Sequence, residues 1–284
     1  MDVKARINNI ERQLKSIPIK DKVPELDIAI DAAVNAGNAI LEIYKKPYKT
    51  VTKSDDSPLT EADLKSNDVI EEILSKTSHG ILSEEGKDDQ NRLSMETIWI
   101  VDPLDGTSDF VDETGEFTVM IALVKNGKPV VGVINWPTEK TIFAAQLGCG
   151  AFRYSDDKWK RIHVTGISEF SQCRMVGSRH HLSENEKRFI KKLGIKSFTS
   201  IGSSLKVGKI SSGEAEAYFT TTNKIKEWDS AASYCIINEA GGKMTDLLGN
   251  DLSYNNKIVN HENGILVTNG LIHDKVLEEF RKLN

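Results

Sequence analysis

The spacing of apolar residues predicts that the chain begins with two helices. Apolar positions recur at helical intervals over residues 25–46 and again over residues 60–78. Gly37 lies inside the first helix, where it predicts close packing against a neighbour, because glycine otherwise weakens a helix. Thr60 and Asp63 form a capping-box pattern at the start of the second helix. Two helices packed on one side of a sheet are therefore the expected first layer.

Short runs of β-branched and aromatic residues predict a largely antiparallel sheet after these helices. The predicted strands cover residues 80–86, 97–101, 117–124, 129–135, 141–145 and 150–154. Asn126-Gly127 favours a type I′ turn and so predicts a hairpin between two of them. Pro103 cannot donate a ladder hydrogen bond, so the strand that begins at Thr97 is expected to end at Asp102. The polar, turn-rich stretch 51–60 predicts a loop.

Helices and strands alternate in the second half, which predicts a mixed sheet covered on both faces. The predicted strands are 173–178, 197–201, 217–220, 243–246 and 264–268, and the predicted helices are 183–193, 203–212, 228–240 and 273–282. We therefore divide the chain into 1–165, a helix pair with an antiparallel sheet, and 166–284, an α/β domain. The expected fold class is α/β with α+β character.

Composition limits the class of protein further. The 284 residues are 39% hydrophobic and 28% charged, as in ordinary globular proteins. A net charge of −5, spread along the chain, predicts neither a nucleic-acid polymer nor an anionic membrane as a partner. No stretch approaches the ~18 apolar residues of a membrane span, and residues 1–16 predict an amphipathic helix, not a signal peptide. Cys149, Cys173 and Cys235 lack metal or disulfide spacing, which favours a cytoplasmic location.

The first candidate functional residues lie where the predicted strand 97–101 ends. Asp102 and Asp105 stand close together there, and like charges raise each other's pKa unless a cation neutralises them. Gly106 and Thr107 follow directly and offer backbone N–H groups to an anion. The alternative interpretation is a strand followed by an ordinary Asp-Gly turn.

Further carboxylates stand at other element ends. Glu84 and Glu85 end the strand 80–86, and Asp229 begins a predicted helix, where it could also act simply as a cap. An all-oxygen set without a histidine pair favours Mg²⁺ over zinc. A metal beside an anion-binding turn indicates phosphate-ester chemistry, in which the metal activates water and neutralises phosphoryl oxygens.

Three segments, in this order and spacing, resemble the inositol monophosphatase superfamily, a group of lithium-sensitive, Mg²⁺-dependent phosphatases. They are Glu84-Glu85, Asp102-Pro103-Leu104-Asp105-Gly106-Thr107, and Trp228-Asp229-Ser230-Ala231-Ala232 followed by Gly241-Gly242. The resemblance extends from about Glu25 to Val267. It implies the layered αβαβα sandwich of that superfamily.

The resemblance also implies a ligand set and a catalytic pair. One Mg²⁺ would be held by Glu84, Asp102 and the Leu104 carbonyl, and a second by Asp102, Asp105 and Asp229. A third, weaker ion near Glu84 is usual in the group, whereas Glu85 has no ligand role. Thr107, paired with Asp55, would orient and deprotonate the attacking water.

Two segments resemble the 3′(2′),5′-bisphosphate nucleotidase subgroup in particular. Residues 53–63 match its K-x-D-x-S-P-x-T-x-A-D stretch, and residues 202–206 match its G-S-S-L-K segment. Ser204 and Lys206 would lie near the second phosphate or the ribose, although Lys206 could instead be a solvated helix charge. Ser178 opens a segment similar to the subgroup's Ser-Arg-x-His strand end, in which His180 and His181 could equally be exposed loop residues. The implied substrate-binding residues are Gly106, Thr107, Ser178, Ser204, Lys206 and Asp229.

One departure bears on the substrate. The subgroup usually has a Pro-Arg pair after Tyr218, where this chain reads Phe219-Thr220, and Lys224 or Lys226 would have to substitute. The resemblance implies hydrolysis of adenosine 3′,5′-bisphosphate to AMP and phosphate, a by-product clearance step in sulfur metabolism. An inositol or sugar monophosphate phosphatase is the alternative. Relatives occur as monomers and as homodimers, so both states stay open.

Overall fold

A computed structural model describes residues 13–14, 16–52 and 58–282 of the chain. Most of the helix predicted over residues 1–16 therefore lies outside the described residues. The first helices are α1 (Pro24–Ile43) and α2 (Glu61–Leu74). The predicted capping box is confirmed, since Asp63 Oδ2 accepts the Thr60 N–H at 2.7 Å and Thr60 Oγ1 accepts the Ala62 N–H at 3.1 Å.

The polar stretch between the two helices is not wholly a loop. Strands β1 (Thr50–Thr52) and β2 (Pro58–Thr60) pair antiparallel in a small sheet of their own. The loop prediction was wrong at these ends because it gave weight to the turn residues and too little to the β-branched Thr50, Val51 and Thr52, which favour extended backbone.

A seven-stranded sheet carries the helix pair on one face. Its strands lie in chain order: β3 (Gly80–Ser83), β4 (Thr97–Asp105), β5 (Thr118–Lys125), β6 (Lys128–Trp136), β7 (Thr141–Gln146), β8 (Gly150–Ser155) and β9 (Lys158–Ile162). The pairing is antiparallel except between β3 and β4. Positive φ angles at Asn126 (51°) and Gly127 (74°) confirm the predicted turn. Strand β9 was not predicted, because this edge strand is rich in lysine and arginine.

Strand β4 continues past Pro103, so the prediction that it ends at Asp102 was wrong. Asp102 pairs with Met120 and Asp105 pairs with Thr118, and the register shifts between these two pairs. Pro103 lies within this bulge, where the ladder does not require its missing N–H. The bulge re-aims the strand just before the short helix α3 (Thr107–Val111).

The second half forms the predicted mixed sheet, in the order β11-β10-β12-β14-β13. Its strands are β10 (Arg174–Ser178), β11 (Ser197–Ile201), β12 (Ala217–Thr220), β13 (Lys243–Thr245) and β14 (Ile265–Thr268). Its helices are α4 (Glu184–Lys192), α5 (Leu205–Ser211), α6 (Glu227–Glu239) and α7 (His273–Arg281). Parallel and antiparallel pairs both occur in it.

Three hydrophobic cores join these elements into alternating layers. The first core lies between α1, α2 and the seven-stranded sheet, the second encloses α5 and α6 between the two sheets, and the third lies beneath α4 and α7. This order is the αβαβα sandwich. Because α6 packs against β6, where a Cβ on Gly132 would lie 2.5 Å from the Ala232 carbonyl, the two halves share a core. The division at residue 165 stays a prediction.

Gly37 lies at the contact between α1 and the sheet. A Cβ at this position would stand 2.3 Å from Asn135 Nδ2 on β6. The close packing that the sequence predicts is therefore confirmed. Among the described residues, no helix combines the length and apolar character needed to cross a bilayer.

Candidate metal and phosphate site

Three carboxylates from three elements converge at one point. Glu84 follows β3, Asp102 lies in β4, and Asp229 lies in the first turn of α6. One oxygen of each lies within 4.8 Å of the others. Asp229 also caps α6, because its Oδ2 accepts the Lys226 N–H at 2.6 Å. The capping and cluster roles of Asp229 are thus compatible, since a carboxylate has two oxygens.

The charges in this cluster repel one another. Asp102 is 1% exposed, and its pKa is raised well above the usual range, by burial first and then by the negative charges of Glu84, Asp105 and Asp229. Burial and the charge of Glu84 likewise raise the pKa of Asp229 well above its usual range. Buried carboxylates in contact are costly without a counterion. An all-oxygen donor set of this kind fits a hard divalent cation such as Mg²⁺.

Asp105 has a different environment from the other acids. Its Oδ2 accepts hydrogen bonds from the Ser204 N–H and from Thr118 Oγ1, the latter at 3.3 Å. Burial raises its pKa, while the nearby Lys206 charge and the bonds from Ser204 oppose that rise. The chain itself therefore partly stabilises the ionised Asp105. Its proposed role as a metal ligand stays a prediction.

The turn between β4 and α3 brings backbone and side-chain groups to the cluster. The Leu104 N–H donates to Asp102 Oδ1 at 3.1 Å, which fixes that carboxylate. Gly106 has a φ of 91°, a conformation that glycine adopts without strain. A Cβ there would also lie 3.1 Å from both the Glu116 carbonyl and Ser203 Cβ. Glycine is thus required at this turn for conformation and for space.

Thr107, the first residue of α3, has a carboxylate partner. Its Oγ1 donates to Asp63 Oδ1 at 3.0 Å and lies 3.2 Å from the Leu104 carbonyl. Asp63 uses its other oxygen for the capping box of α2. Asp55, the partner expected from the resemblance, lies outside the described residues, and its pairing stays a prediction. The sequence pattern predicts only the capping role of Asp63; its contact with Thr107 joins residues 44 positions apart and leaves no local signal.

The substrate-side residues of the second half lie against the same turn. Ser204 Oγ and Thr118 Oγ1 are 2.7 Å apart. Lys206 is 8% exposed, so it is not a solvated helix charge. Its ammonium donates to the Ser203 carbonyl and lies 5.3 Å from the centre of the Tyr218 ring. A buried positive charge therefore stands close enough to Asp105 to stabilise its ionised form.

Two acids, Asp109 in α3 and Glu116 just before β5, clasp the ends of two strands of the second sheet. Arg179, just beyond β10, donates to Asp109 Oδ1 at 3.1 Å and to Glu116. The Gly202 N–H, just beyond β11, donates to the same Glu116 carboxylate at 2.7 Å. Asp109 and Glu116 could not be singled out from the sequence, because no local pattern reveals partners that lie 63 to 86 residues away. The clasp places the 202–206 segment beside the carboxylate cluster.

The predicted strand-end residues lie near this clasp. Ser178 Oγ accepts the His181 N–H at 3.1 Å, and His180 Nε2 lies 3.3 Å from Asp109 Oδ2. Both histidines are exposed. Ser178 therefore shapes the turn after β10, and its contact with substrate stays a prediction.

Known proteins are similar to this chain in sequence and in fold. The 3′(2′),5′-bisphosphate nucleotidase CysQ of Shigella flexneri is 37% identical over 242 residues, which cover 81% of this chain and 93% of that protein. The solved CysQ from Bacteroides thetaiotaomicron is 35% identical, with a TM-score of 0.75 and coverage of 87% and 97%. Thermotoga maritima IMPase is 25% identical, with a TM-score of 0.79 and coverage of 92% and 98%. Residues 21–284 match the inositol monophosphatase family. The chain therefore belongs to this family of phosphatase hydrolases.

Proposed function

We propose that this protein is a Mg²⁺-dependent 3′(2′),5′-bisphosphate nucleotidase that hydrolyses adenosine 3′,5′-bisphosphate to AMP and phosphate. The observation that carries the proposal is the convergence of Glu84, Asp102 and Asp229 beside the hydrogen-bonded pair Thr107–Asp63. The identity to CysQ proteins over most of both chains supports the choice of a nucleotide substrate over other small phosphorylated molecules.

The proposed metal ligands include the three residues of the carboxylate cluster. Glu84, Asp102 and the Leu104 carbonyl would hold one Mg²⁺, and Asp102, Asp105 and Asp229 a second, with a third, weaker ion near Glu84. When bound, the metal lowers the pKa of a water and neutralises charge on the phosphoryl and leaving oxygens.

The chain's own groups orient the attacking water. Because Thr107 Oγ1 gives its proton to a hydrogen bond with Asp63 Oδ1, its lone pairs are free to accept a hydrogen bond from water. A proton leaving that water can pass to Thr107 while the Thr107 proton moves to Asp63. The backbone N–H groups of Gly106 and Thr107 would bind phosphate oxygens. Asp55 is a second proposed base whose position the structure does not describe.

We assign substrate specificity to residues in the second half of the chain. The buried Lys206 ammonium would bind the second phosphate as a point charge, with Ser204 near that phosphate or the ribose. Ser178 and Asp229 are further proposed substrate-binding residues. Lys224 and Lys226 lie in the segment between β12 and α6, and one of them would have to replace the arginine that the subgroup usually has directly after Tyr218. An inositol or sugar monophosphate phosphatase is the second candidate, because the same carboxylates would serve it.

Substrate comparison tests the proposal. Phosphate release from adenosine 3′,5′-bisphosphate, inositol 1-phosphate and fructose 1,6-bisphosphate is measured with Mg²⁺ and again with excess chelator. We expect kcat/KM to be highest for the nucleotide, no turnover with the chelator, and inhibition by lithium. If the nucleotide is the poorest of the three, the substrate assignment is wrong. We further propose a cytoplasmic enzyme, either monomeric or homodimeric, since its three cysteines are not paired in disulfides.

A further inference from the structure

A buried arginine lies outside the carboxylate cluster. Arg92, in the 3₁₀ helix Gln90–Ser94, is 1% exposed. Its guanidinium donates to both oxygens of Asp88, at 2.6 and 3.0 Å. It also donates to Asn255 Oδ1 at 2.8 Å and to the Asn256 carbonyl at 3.0 Å. Arg92 thus joins the segment after Glu84 to a loop more than 160 residues later in the chain.

The same loop is held from the other side by α6. Glu227, the first residue of α6, is 1% exposed. Its carboxylate accepts the Asn255 N–H at 2.8 Å, the Asn256 N–H at 2.9 Å and Asn256 Nδ2 at 2.8 Å. Asn255 has a φ of 64°, which is uncommon for a residue with a side chain. It keeps this conformation because hydrogen bonds constrain it from both sides.

Tyr254 adds a second connection to the first turns of α6. Its hydroxyl lies 3.2 Å from Ser230 Oγ, and its N–H donates to the Gly127 carbonyl at 3.1 Å. Residues 254–256 therefore link the start of α6 to the β5–β6 turn and to Arg92.

We propose that Arg92 is a positioning residue: through Asn255, Asn256 and Glu227 it fixes the Asp229 carboxylate relative to Glu84 and Asp102, and so sets the affinity for Mg²⁺. Asp88 lies four residues after Glu84, and Glu227 lies two residues before Asp229. Mutual repulsion pushes the metal-free carboxylates apart, and the network opposes that separation. Mg²⁺ tolerates little deviation from octahedral geometry, so small shifts of a ligand are costly. This inference rests on the metal site of the proposed function.

Two variants weaken the network without removing a proposed ligand. Asn255→Gly suits the left-handed backbone and keeps the N–H to Glu227, but it removes the amide that contacts Arg92. Arg92→Lys keeps the charge and loses the forked geometry. Calorimetry with Mg²⁺ alone should show a dissociation constant about 10-fold or more higher in both variants. The Mg²⁺ concentration for half-maximal phosphatase activity should rise equally, while kcat at saturating Mg²⁺ stays within about 2-fold, since removed outer contacts act on affinity.

The matched control is Arg174→Lys. Arg174, whose side chain is 43% exposed, likewise donates to a buried carboxylate, that of Glu216, with an Nη2–Oε1 distance of 2.6 Å, at the opposite end of β10 from Ser178. The Mg²⁺ affinity of the Arg174→Lys variant should equal that of the wild type. An unchanged dissociation constant in Asn255→Gly, or an equal loss in Arg174→Lys, would overturn the inference. If Arg92→Lys does not fold, the Mg²⁺ affinity of Asn255→Gly alone tests the inference. Because Mg²⁺ binding is measured without substrate, a failure of nucleotide hydrolysis alone would reject the proposed function and leave this inference standing.

Discussion

At Asp63 a single carboxylate serves two neighbours. One oxygen closes the capping box of α2, and the other accepts the hydroxyl of Thr107. The helix start thereby fixes the position of the group that we assign to the attacking water. A residue held by a secondary-structure constraint loses little entropy when substrate arrives, which is how preorganised sites gain rate.

Removing the Thr107 hydroxyl should slow the chemical step far more than it weakens Mg²⁺ binding. We expect Thr107→Ala to lower kcat by about 10²- to 10⁴-fold, the usual contribution of positioned acid–base groups. The Mg²⁺ dissociation constant should change much less than kcat, because the hydroxyl donates to Asp63 and touches only one proposed ligand, the Leu104 carbonyl, at 3.2 Å. Thr107→Ser, which keeps the hydroxyl, should retain most activity. Equal losses of Mg²⁺ affinity and kcat in Thr107→Ala would show instead that the residue serves the metal.

Asp102→Asn should have opposite effects on activity and on stability. The amide keeps the acceptor for the Leu104 N–H but removes the charge that Glu84 and Asp229 repel. Turnover should fall at least about 100-fold, since losing a metal ligand costs several kcal/mol of transition-state stabilisation. In excess chelator, the free energy of unfolding should rise by about 1 kcal/mol or more. Urea denaturation with and without Mg²⁺ measures this, and a less stable metal-free variant would contradict the assigned repulsion.

At the scale of elements, the close contact of α1 with β6 illustrates how strongly packing depends on one small residue. Gly37 allows the helix to approach Asn135, whose Nδ2 donates to the Ala33 carbonyl at 2.8 Å. This contact supports the sheet whose β4 strand carries Asp102, but it lies outside the carboxylate cluster.

We expect Gly37→Ala to lower the free energy of unfolding by about 1–3 kcal/mol, because overpacking displaces Asn135. Urea denaturation measures the change, and kcat should stay at the wild-type value. Gly166→Ala is the control, since nothing lies within 4 Å of an added Cβ there, and its effect should be below about 1 kcal/mol. A Gly37→Ala protein as stable as the wild type would mean that the helix can move away without cost.

At the scale of the whole molecule, buried histidines predict how stability depends on pH. His273 is fully buried between Thr245 Oγ1 at 2.9 Å and Thr268 Oγ1 at 3.0 Å. Burial, followed by the charge of Lys243, lowers its pKa to about 4. Burial also lowers the pKa of His261 to about 4. Both side chains are therefore neutral in the folded protein at neutral pH.

The unfolded chain takes up these protons first as the pH falls, because its histidine pKa is about 6.5. The contribution of His273 to stability is therefore complete above pH 6.5 and is lost progressively down to about pH 4, by about 3 kcal/mol in total. Denaturation midpoints from pH 4 to 8, without metal, should fall less steeply in His273→Gln than in the wild type. His163→Gln, at an exposed position, should keep the wild-type slope. Identical slopes in all three proteins would contradict the lowered pKa.

Local patterns in the sequence predicted much of the fold. Helical spacing predicted α1 and α2, Asn126-Gly127 predicted a hairpin, and Thr60 with Asp63 predicted the capping box. Such signals are readable because their causes lie within a few residues of one another. The order of the acidic motifs likewise determined the family and the chemistry.

Contacts between distant segments of the chain determine the features that local patterns did not predict. The bulge that lets β4 continue past Pro103 depends on its pairing with β5, and the Thr107–Asp63 bond joins residues 44 positions apart. The network of Arg92 with Asn255 spans 163 positions. The sequence by itself determined most of the helices and strands and the chemistry they carry, because propensity and side-chain type are local properties. Only the tertiary structure decided which oxygen faces which hydroxyl, because that depends on how the two sheets pack around α6.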